Sequence, residues 1–436
     1  MTSTPVGDSP DLATIDHIDP SGSAQAFRNP GAGFLVGLGL AAVALMSSML
    51  SVGILTLPLQ ANAIDPEGAT NIIAVTGVVA GLIALIVSPI MGRVSDRTTG
   101  RFGRRRPYLV LAAAFVLLGG FLVLQGGSAA MLATGWGVMT LGQIAGFTAL
   151  GAAIPDQLSP ERRGIPSALF GVAGTAGAII GLFIASLFSP NVALMIMVPA
   201  ALAAVFLLAF AAILADDPLD PADRPALNLS EVFSTFWVNP LKHPGFALAF
   251  GSRFAVFCAI AAVNAYMALY LIMGLHISPA EVAGKIFIAN LLSGGLALVV
   301  ATLMGKLSDK VGRRKIFVIV SAIIFTIGLA MVAVASSFEG FLLAITILGI
   351  GQGVYLAVDF ALITQVLPDP KNPAKDLGIM NLASSLPNIL VPAVAPLLLA
   401  IGASATNPQN FVAFFAAAAV AGAIGALLIV PIKGVR

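Results

Sequence analysis

Gly92-Arg-Val-Ser-Asp-Arg-Thr-Thr-Gly-Arg-Phe-Gly-Arg-Arg-Arg-Pro107 is the stretch that decides how this chain is read. It carries six of the 22 basic residues of a 436-residue chain that is 58% hydrophobic and only 10% charged. A shortened copy, Gly305-Lys-Leu-Ser-Asp-Lys-Val-Gly-Arg-Arg-Lys315, follows in the second half. Each copy lies between two long apolar segments. The pair points to a membrane protein, fixes which way it faces, and shows that the chain is built twice.

Working outward, the composition excludes a soluble domain. Such a domain carries about a quarter charged residues, and the mean hydropathy here is +1.00. Apolar runs long enough to cross a hydrocarbon core of roughly 30 Å recur along the chain. They fall at 33–60, 70–92, 107–127, 130–155, 166–188 and 192–214, then at 245–273, 279–304, 316–336, 339–366, 378–400 and 409–431. A backbone in lipid must satisfy its own hydrogen bonds, so these are helices. The apolar–polar alternation of a membrane barrel is absent. The expected fold is an all-α polytopic membrane protein with twelve transmembrane helices in two six-helix bundles. Residues 1–32, polar and rich in Asp, Pro and Gly, read as a disordered tail. Residues 33–215 form the first bundle, 216–244 the linker and 245–432 the second bundle. Within the linker, Leu229, Val232, Phe233, Phe236 and Trp237 share one helical face. This predicts a short amphipathic helix, lying on the leaflet or packed on the bundle ends.

Lys and Arg set the orientation. Twenty of the 22 fall in the termini, the linker and the loops on one side. That side, with both termini, is expected to be cytoplasmic, and the membrane to be the plasma (inner) membrane. No signal peptide is seen at the start of the chain. The one cysteine, Cys258, cannot form an intramolecular disulfide. His17, His243 and His276 are scattered, so no metal site is expected, and no cofactor. No phosphate-binding Gly-x-x-x-x-Gly-Lys-(Ser/Thr) loop is present, which argues against ATP as the direct energy source. The expected partners are the lipid bilayer, a small-molecule substrate and protons, with no nucleic acid. A membrane-embedded enzyme would need paired acids or histidines at the membrane edge, and the loops offer mainly arginines and single acids.

The two halves align at several points. Gly92-x-x-x-Asp96-Arg97 matches Gly305-x-x-x-Asp309-Lys310, Gly142-Gln143 matches Gly351-Gln352, and Gly164-Ile165 matches Gly378-Ile379. Parallel repeats of six helices suit a transporter whose bundles rock about a central site. The motif Gly-x-x-x-Asp-(Arg/Lys)-x-Gly-Arg-(Arg/Lys) after the second helix of each half resembles the signature loop of the major facilitator superfamily. Ser95–Pro107, and Gly378-Ile-Met-Asn-Leu-Ala-Ser-Ser-Leu-Pro-Asn388, resemble the sucrose–proton symporter group and its bacterial relatives. The first segment lacks the aromatic and glutamine-rich pattern of plant sucrose carriers. The second lacks the carboxylates of melibiose-type sodium sites, and the fifth lacks the Gly-Pro pair of drug antiporters. Its Gly171, Gly174, Gly177 and Gly181 read as close-packing positions.

The resemblance implies a cytoplasmic gate. Asp96 and Asp156 would be latched by an arginine among Arg97, Arg104 and Arg105, with Asp309, Arg313 and Arg314 as the second-half counterparts. Gln365 stands where the repeat would put a second Asp156, so that latch is expected to be weaker. Topology alone is the plain alternative. Asp359 is the one carboxylate well inside an apolar segment, which makes it a functional candidate. It lies as far from the loop-side end of the tenth segment as Arg253 lies from that of the seventh, about 12 Å at ~1.5 Å per residue. Equal depth and opposite charge predict that the two pair, either as a protonatable switch or as a fixed structural pair. By resemblance, the first, fourth, seventh and tenth helices line the cavity. Its polar candidates are Ser47, Ser51, Gln143, Asn264, Tyr266, Gln352 and Tyr355, with Asn381 on the eleventh; interhelical hydrogen bonding is the plain alternative for each. The expected function is proton-coupled secondary transport of a small neutral polar solute such as a sugar or glycoside. The alternatives are a proton-driven exporter of amphipathic compounds and a non-transporting membrane sensor.

Overall fold

The computed structural model describes residues 27–220, 242–312, 314–368, 373–403 and 409–432. The amphipathic helix expected within the linker, Arg313 and the tail before residue 27 lie outside these residues. Among the described residues, twelve helices are long and apolar enough to cross a membrane. They are α1 (Ala32–Ile64), α2 (Ala69–Asp96), α3 (Arg106–Leu124), α4 (Ala129–Gln157), α5 (Gly164–Leu187), α6 (Val192–Ile213), α7 (Pro244–Gly274), α8 (Pro279–Val311), α9 (Arg314–Val334), α10 (Phe338–Gln365), α11 (Lys375–Leu399) and α12 (Phe411–Ile429). No described residue is in a strand. Helices α1–α6 form one bundle and α7–α12 the other. The described residues of the two basic loops, and the described ends of the linker at 216–220 and 242–244, lie on one face, called here the loop side; the opposite face is the far side.

Between apolar helices in lipid, close approach must come from small residues rather than from hydrophobic exclusion. Gly177 and Gly181 of α5 supply it against α1. A Cβ at Gly181 would stand 2.2 Å from the Ser47 carbonyl oxygen, and one at Gly177 2.9 Å from the Ser47 nitrogen. Gly171 and Gly174 of the same helix behave differently: no atom lies within 4 Å of where their Cβ would be. The close-packing expectation therefore holds for half of that glycine series, and the other half faces open space. The repeat extends to local geometry. The first helix of each bundle contains one wide π-turn, Val52–Thr56 in α1 and Tyr270–Gly274 in α7.

The bundles meet on the far side. Gly77 and Gly81 of α2 form a seat for α11, with Pro392 and Ile389 pressed into it. Gly294 of α8 faces Thr175 and Ile179 of α5. Beyond these, Phe183 packs against Phe287 with ring centres 5.2 Å apart and the rings tilted by 47°. The Ser189 hydroxyl donates to the Ala280 carbonyl at 3.1 Å. The far-side junction is thus a packed seal. A Cβ at Gly77 would meet the rigid Pro392 ring at 2.8 Å. Gly77→Val is therefore expected to wedge the seal open by about 1–3 kcal/mol. In a Cys258→Ala background, Thr70→Cys at this junction should then react with a membrane-impermeant thiol reagent about tenfold faster, a factor equal to ~1.4 kcal/mol. An unchanged rate would mean that the seat yields without opening.

Candidate functional site

Three constellations occupy the path between the faces. The first is at the loop side. The Arg105 side chain, 5% exposed, reaches Asp96 Oδ1 at 2.7 Å at the end of α2 and Asp156 Oδ2 at 2.7 Å near the end of α4. Its Nη1 also donates to the Ser95 hydroxyl at 2.8 Å. Arg104 approaches Asp156 Oδ1 at 3.4 Å, and Arg97 directly follows α2. One guanidinium thereby brackets two helix ends with charge-assisted bonds. Burial works against its charge, but the hydrogen bonds and charges of Asp156 and Asp96 outweigh that and raise its pKa above the ordinary arginine value.

The second basic loop is built on the same plan, with a longer ion pair. Arg314 lies 3.7 Å from Asp309, whose side chain is 76% exposed. Ser308, the repeat counterpart of Ser95, is buried with no hydrogen-bond partner among the described residues. One feature is shared that the sequence did not suggest. The Arg106 guanidinium donates to the Leu214 carbonyl at the end of α6, Nε at 2.9 Å. Its counterpart Lys315 donates to the Val430 and Ile432 carbonyls at the end of α12, at 2.5 and 3.0 Å. Cations at exposed C-terminal carbonyls satisfy acceptors that the helix leaves free. In each bundle the third helix is tied to the sixth in this way.

The second constellation lies within the second bundle. Arg253 Nη1 of α7 donates to Asp359 Oδ2 of α10. The guanidinium carbon stands 5.1 Å over the Phe257 ring. Phe257 meets Tyr355 edge-on at 6.3 Å, and Tyr355 lies one helical turn before Asp359 on α10. Both charged side chains are nearly buried, 14% and 12% exposed. Tyr355 therefore belongs to the ion-pair cluster and not to the cavity wall.

The third constellation is the cavity. Two adjoining spaces of about 300 and 400 Å³ lie between the bundles and share Leu50, Ile54 and Asn264 in their walls. The larger adds Gln143, Thr140, Thr76, Trp136 and Asn388; the smaller adds Gln352, Asn290, Thr175 and Phe325. Among the described residues, no charged side chain lines either space. Asn264 and Gln352 make no hydrogen bond to a described residue, and Gln143 reaches only the Met46 sulfur at 3.9 Å. The amides thus keep donors and acceptors to offer a ligand.

Of the polar residues assigned to the cavity from sequence, Gln143, Asn264 and Gln352 line it. The structure places Ser47 and Ser51 elsewhere. Both are buried, Ser47 against the glycines of α5, and Ser51 with its hydroxyl turned back to the Ser48 carbonyl at 3.2 Å. Tyr266 is fully buried in the far-side seal, its hydroxyl 3.5 Å from the Thr70 and Pro392 carbonyls. Asn381 is exposed on α11, outside the walls of both spaces. Sequence reasoning missed Trp136, Asn290, Thr175, Thr140 and Thr76. Trp136 is one of only two tryptophans, and Asn290 is a lone amide in an apolar run, which were the available signals.

The sequence profile of the Major Facilitator Superfamily matches residues 36–304 and 288–435. The chain belongs to that superfamily of membrane transporters, which are not enzymes. The "Uncharacterized MFS-type transporter YfiU" of Bacillus subtilis (strain 168) is 33% identical over 97 residues, 22% of this chain and 18% of that protein. The "Proton-associated sugar transporter A" of Homo sapiens is 42% identical over 48 residues, 11% of this chain and 6% of that protein. These matches span less than a fifth of either relative. The fold of the nucleoside transporter NupG superposes with a TM-score of 0.72 at 13% identity, covering 92% of this chain and all of that one. This last likeness concerns the fold.

Proposed function

We propose that this chain is a proton-coupled secondary transporter of the plasma membrane, with its loop side cytoplasmic, moving a small neutral polar solute such as a sugar or glycoside by alternating access. The observation that carries this reading is an amide-lined cavity without described charges and, two to three turns away on the same two helices, a near-buried Arg253–Asp359 pair. Gln352 and Asp359 lie two helical turns apart on α10; Asn264 and Arg253 lie three turns apart on α7. Solute binding and a change in the ion pair would thus act on one pair of helices. A charged solute would meet no partner in these walls, and desolvating it would be costly. Neutral hydroxyls suit the free amides and the Trp136 ring. The short match to a proton-associated sugar transporter supports the same reading. With the far side sealed, the structure would correspond to the state open toward the cytoplasm. Arg105, bracketing Asp96 and Asp156, would serve as the loop-side latch of the first bundle. Asp309 and Arg314 would form a weaker one.

Proteoliposomes and a panel of sugars test the proposal. Solute-dependent alkalinisation of the outside medium is the expected result. Proton release driven by amphipathic compounds, with no sugar response, would make the chain an exporter. Binding without flux would make it a sensor. Asn264→Ala removes the one polar group common to both spaces. At about 1–1.5 kcal/mol for a lost hydrogen bond, it should weaken half-saturation for the transported solute about tenfold while sparing the fold. Unchanged half-saturation would move the solute away from Asn264.

A further inference from the structure

The backbone that carries Arg105 is itself held, and what holds it is the start of the linker. Helix α3 begins without a cap of its own. Arg105 occupies the cap position with no side-chain bond to the helix, and Pro107 has no N–H to offer. The free amides at this end are taken by a residue more than a hundred positions away. Asp216 Oδ2 accepts from the backbone N–H of Arg105 at 2.5 Å and of Arg106 at 2.8 Å.

Three neighbouring contacts stitch the same stretch down. The Arg106 guanidinium donates to the Leu214 carbonyl. Gln157, next to Asp156, donates to the Ala215 carbonyl at 2.6 Å. Arg28 pairs with Asp217 at 2.5 Å. The loop admits Asp216 because residue 103 is glycine. It adopts φ +89°, and a Cβ there would lie 2.3 Å from the Asp216 carboxyl carbon. The first residues after α6 are thus bonded to the segment bearing Arg105 and to the end of α4 bearing Asp156. These are two of the elements that the arginine bracket joins.

We propose that Asp216 is a positioning residue for the Arg105 latch. Held by two bonds to one carboxylate oxygen, the backbone at 105–106 sits where the guanidinium spans Asp96 and Asp156 together. Arg105 then carries two linkages at once, its amide to the linker and its side chain to the helix ends. A pull on the linker reaches the latch through one residue. The inference rests on the latch reading given above and extends it to the segment that joins the bundles.

The test uses the full chain in lipid nanodiscs, in a Cys258→Ala background, with nitroxides at Ile165→Cys and Val311→Cys at the loop-side ends of α5 and α8. The readout is the ratio of short to long inter-label distances. Arg105→Ala should change this ratio by about threefold or more, a modest population shift. Asp216→Ala should change it in the same direction, and the double variant should match Arg105→Ala alone. Asp216→Asn keeps an acceptor and should restore the wild-type ratio. Gly103→Ala displaces the carboxylate without removing it and should reproduce Asp216→Ala, which covers the case where that variant does not fold. A ratio unchanged by Asp216→Ala and Gly103→Ala while Arg105→Ala shifts it would overturn the inference and leave the latch standing. So would additive effects in the double variant, or a lowered melting temperature with the wild-type ratio. No effect of Arg105→Ala would sink latch and inference together.

Discussion

Asp359→Asn is expected to abolish solute-driven proton movement while leaving solute exchange intact. The asparagine holds α10 permanently in the neutral state that a protonated aspartate would visit. Exchange of solute across the membrane needs only that neutral state, whereas net coupled uptake needs the carboxylate to release its proton again. The proton signal should fall by at least about tenfold, more than ~1.4 kcal/mol of coupling, and counterflow of labelled solute should persist. Proton movement at the wild-type level in Asp359→Asn would end the role proposed for this residue. Arg253→Ala separates the switch from a structural pair. It leaves a near-buried carboxylate unpaired, which costs about 3–5 kcal/mol. Arg253→Ala with Asp359→Ala should recover most of that stability, because neither charge is then left alone, but it should not recover proton coupling. Recovery of both would leave Asp359 with no part in coupling.

Arg105→Ala is expected to destabilise the first bundle by about 3 kcal/mol, the lower end of the range for breaking a buried ion pair. The figure sits low because the Asp96 side chain is 52% exposed and water can re-solvate it. Asp156 is better enclosed, at 21%. Asp309→Ala, which removes the exposed partner in the second loop, should cost less than about 1 kcal/mol, as exposed pairs do. Denaturant unfolding of the two variants in the same detergent gives the comparison. Equal losses would show that the second loop is latched as firmly as the first. The sign of the pH dependence follows from the raised pKa of Arg105. A cation whose folded pKa is above its unfolded value contributes fully below the unfolded value and loses that contribution only as pH rises through the folded one. The arginine itself therefore introduces no pH dependence near neutrality.

Much of this protein is legible along the chain. Backbone groups in hydrocarbon have no partner but the next helical turn, so long apolar runs dictate helices, and the twelve segments expected from hydropathy are the twelve found. The charged loops at 92–107 and 305–315 cannot enter the bilayer, and their recurrence exposes the repeat. The depth of Arg253 and Asp359 was readable because helical rise is constant, so two residues equally far from their helix ends lie at one level.

Rotation about each helix axis was not legible in the same way. In a helix that is apolar all round, no amphipathic stripe says which face turns inward. Ser47 and Ser51 were assigned to the cavity and instead face the interior of their own bundle, because α5 offers glycines that admit the α1 backbone at that height. Tyr266 and Tyr355 look alike in sequence as polar aromatics in apolar runs, yet one closes the far-side seal and the other belongs to the ion-pair cluster. Asp216 reads as part of a polar linker, and its bond to the first residues of α3 exists only once six helices have brought positions 105 and 216 together. The helices, their number, the repeat and the height of the ion pair follow from local backbone chemistry and solvation, and so can be read along the chain. The tertiary structure decided which polar groups meet a solute, which meet one another and which seal the far side. Those outcomes depend on helix rotation and on small-residue contacts between segments distant in the chain.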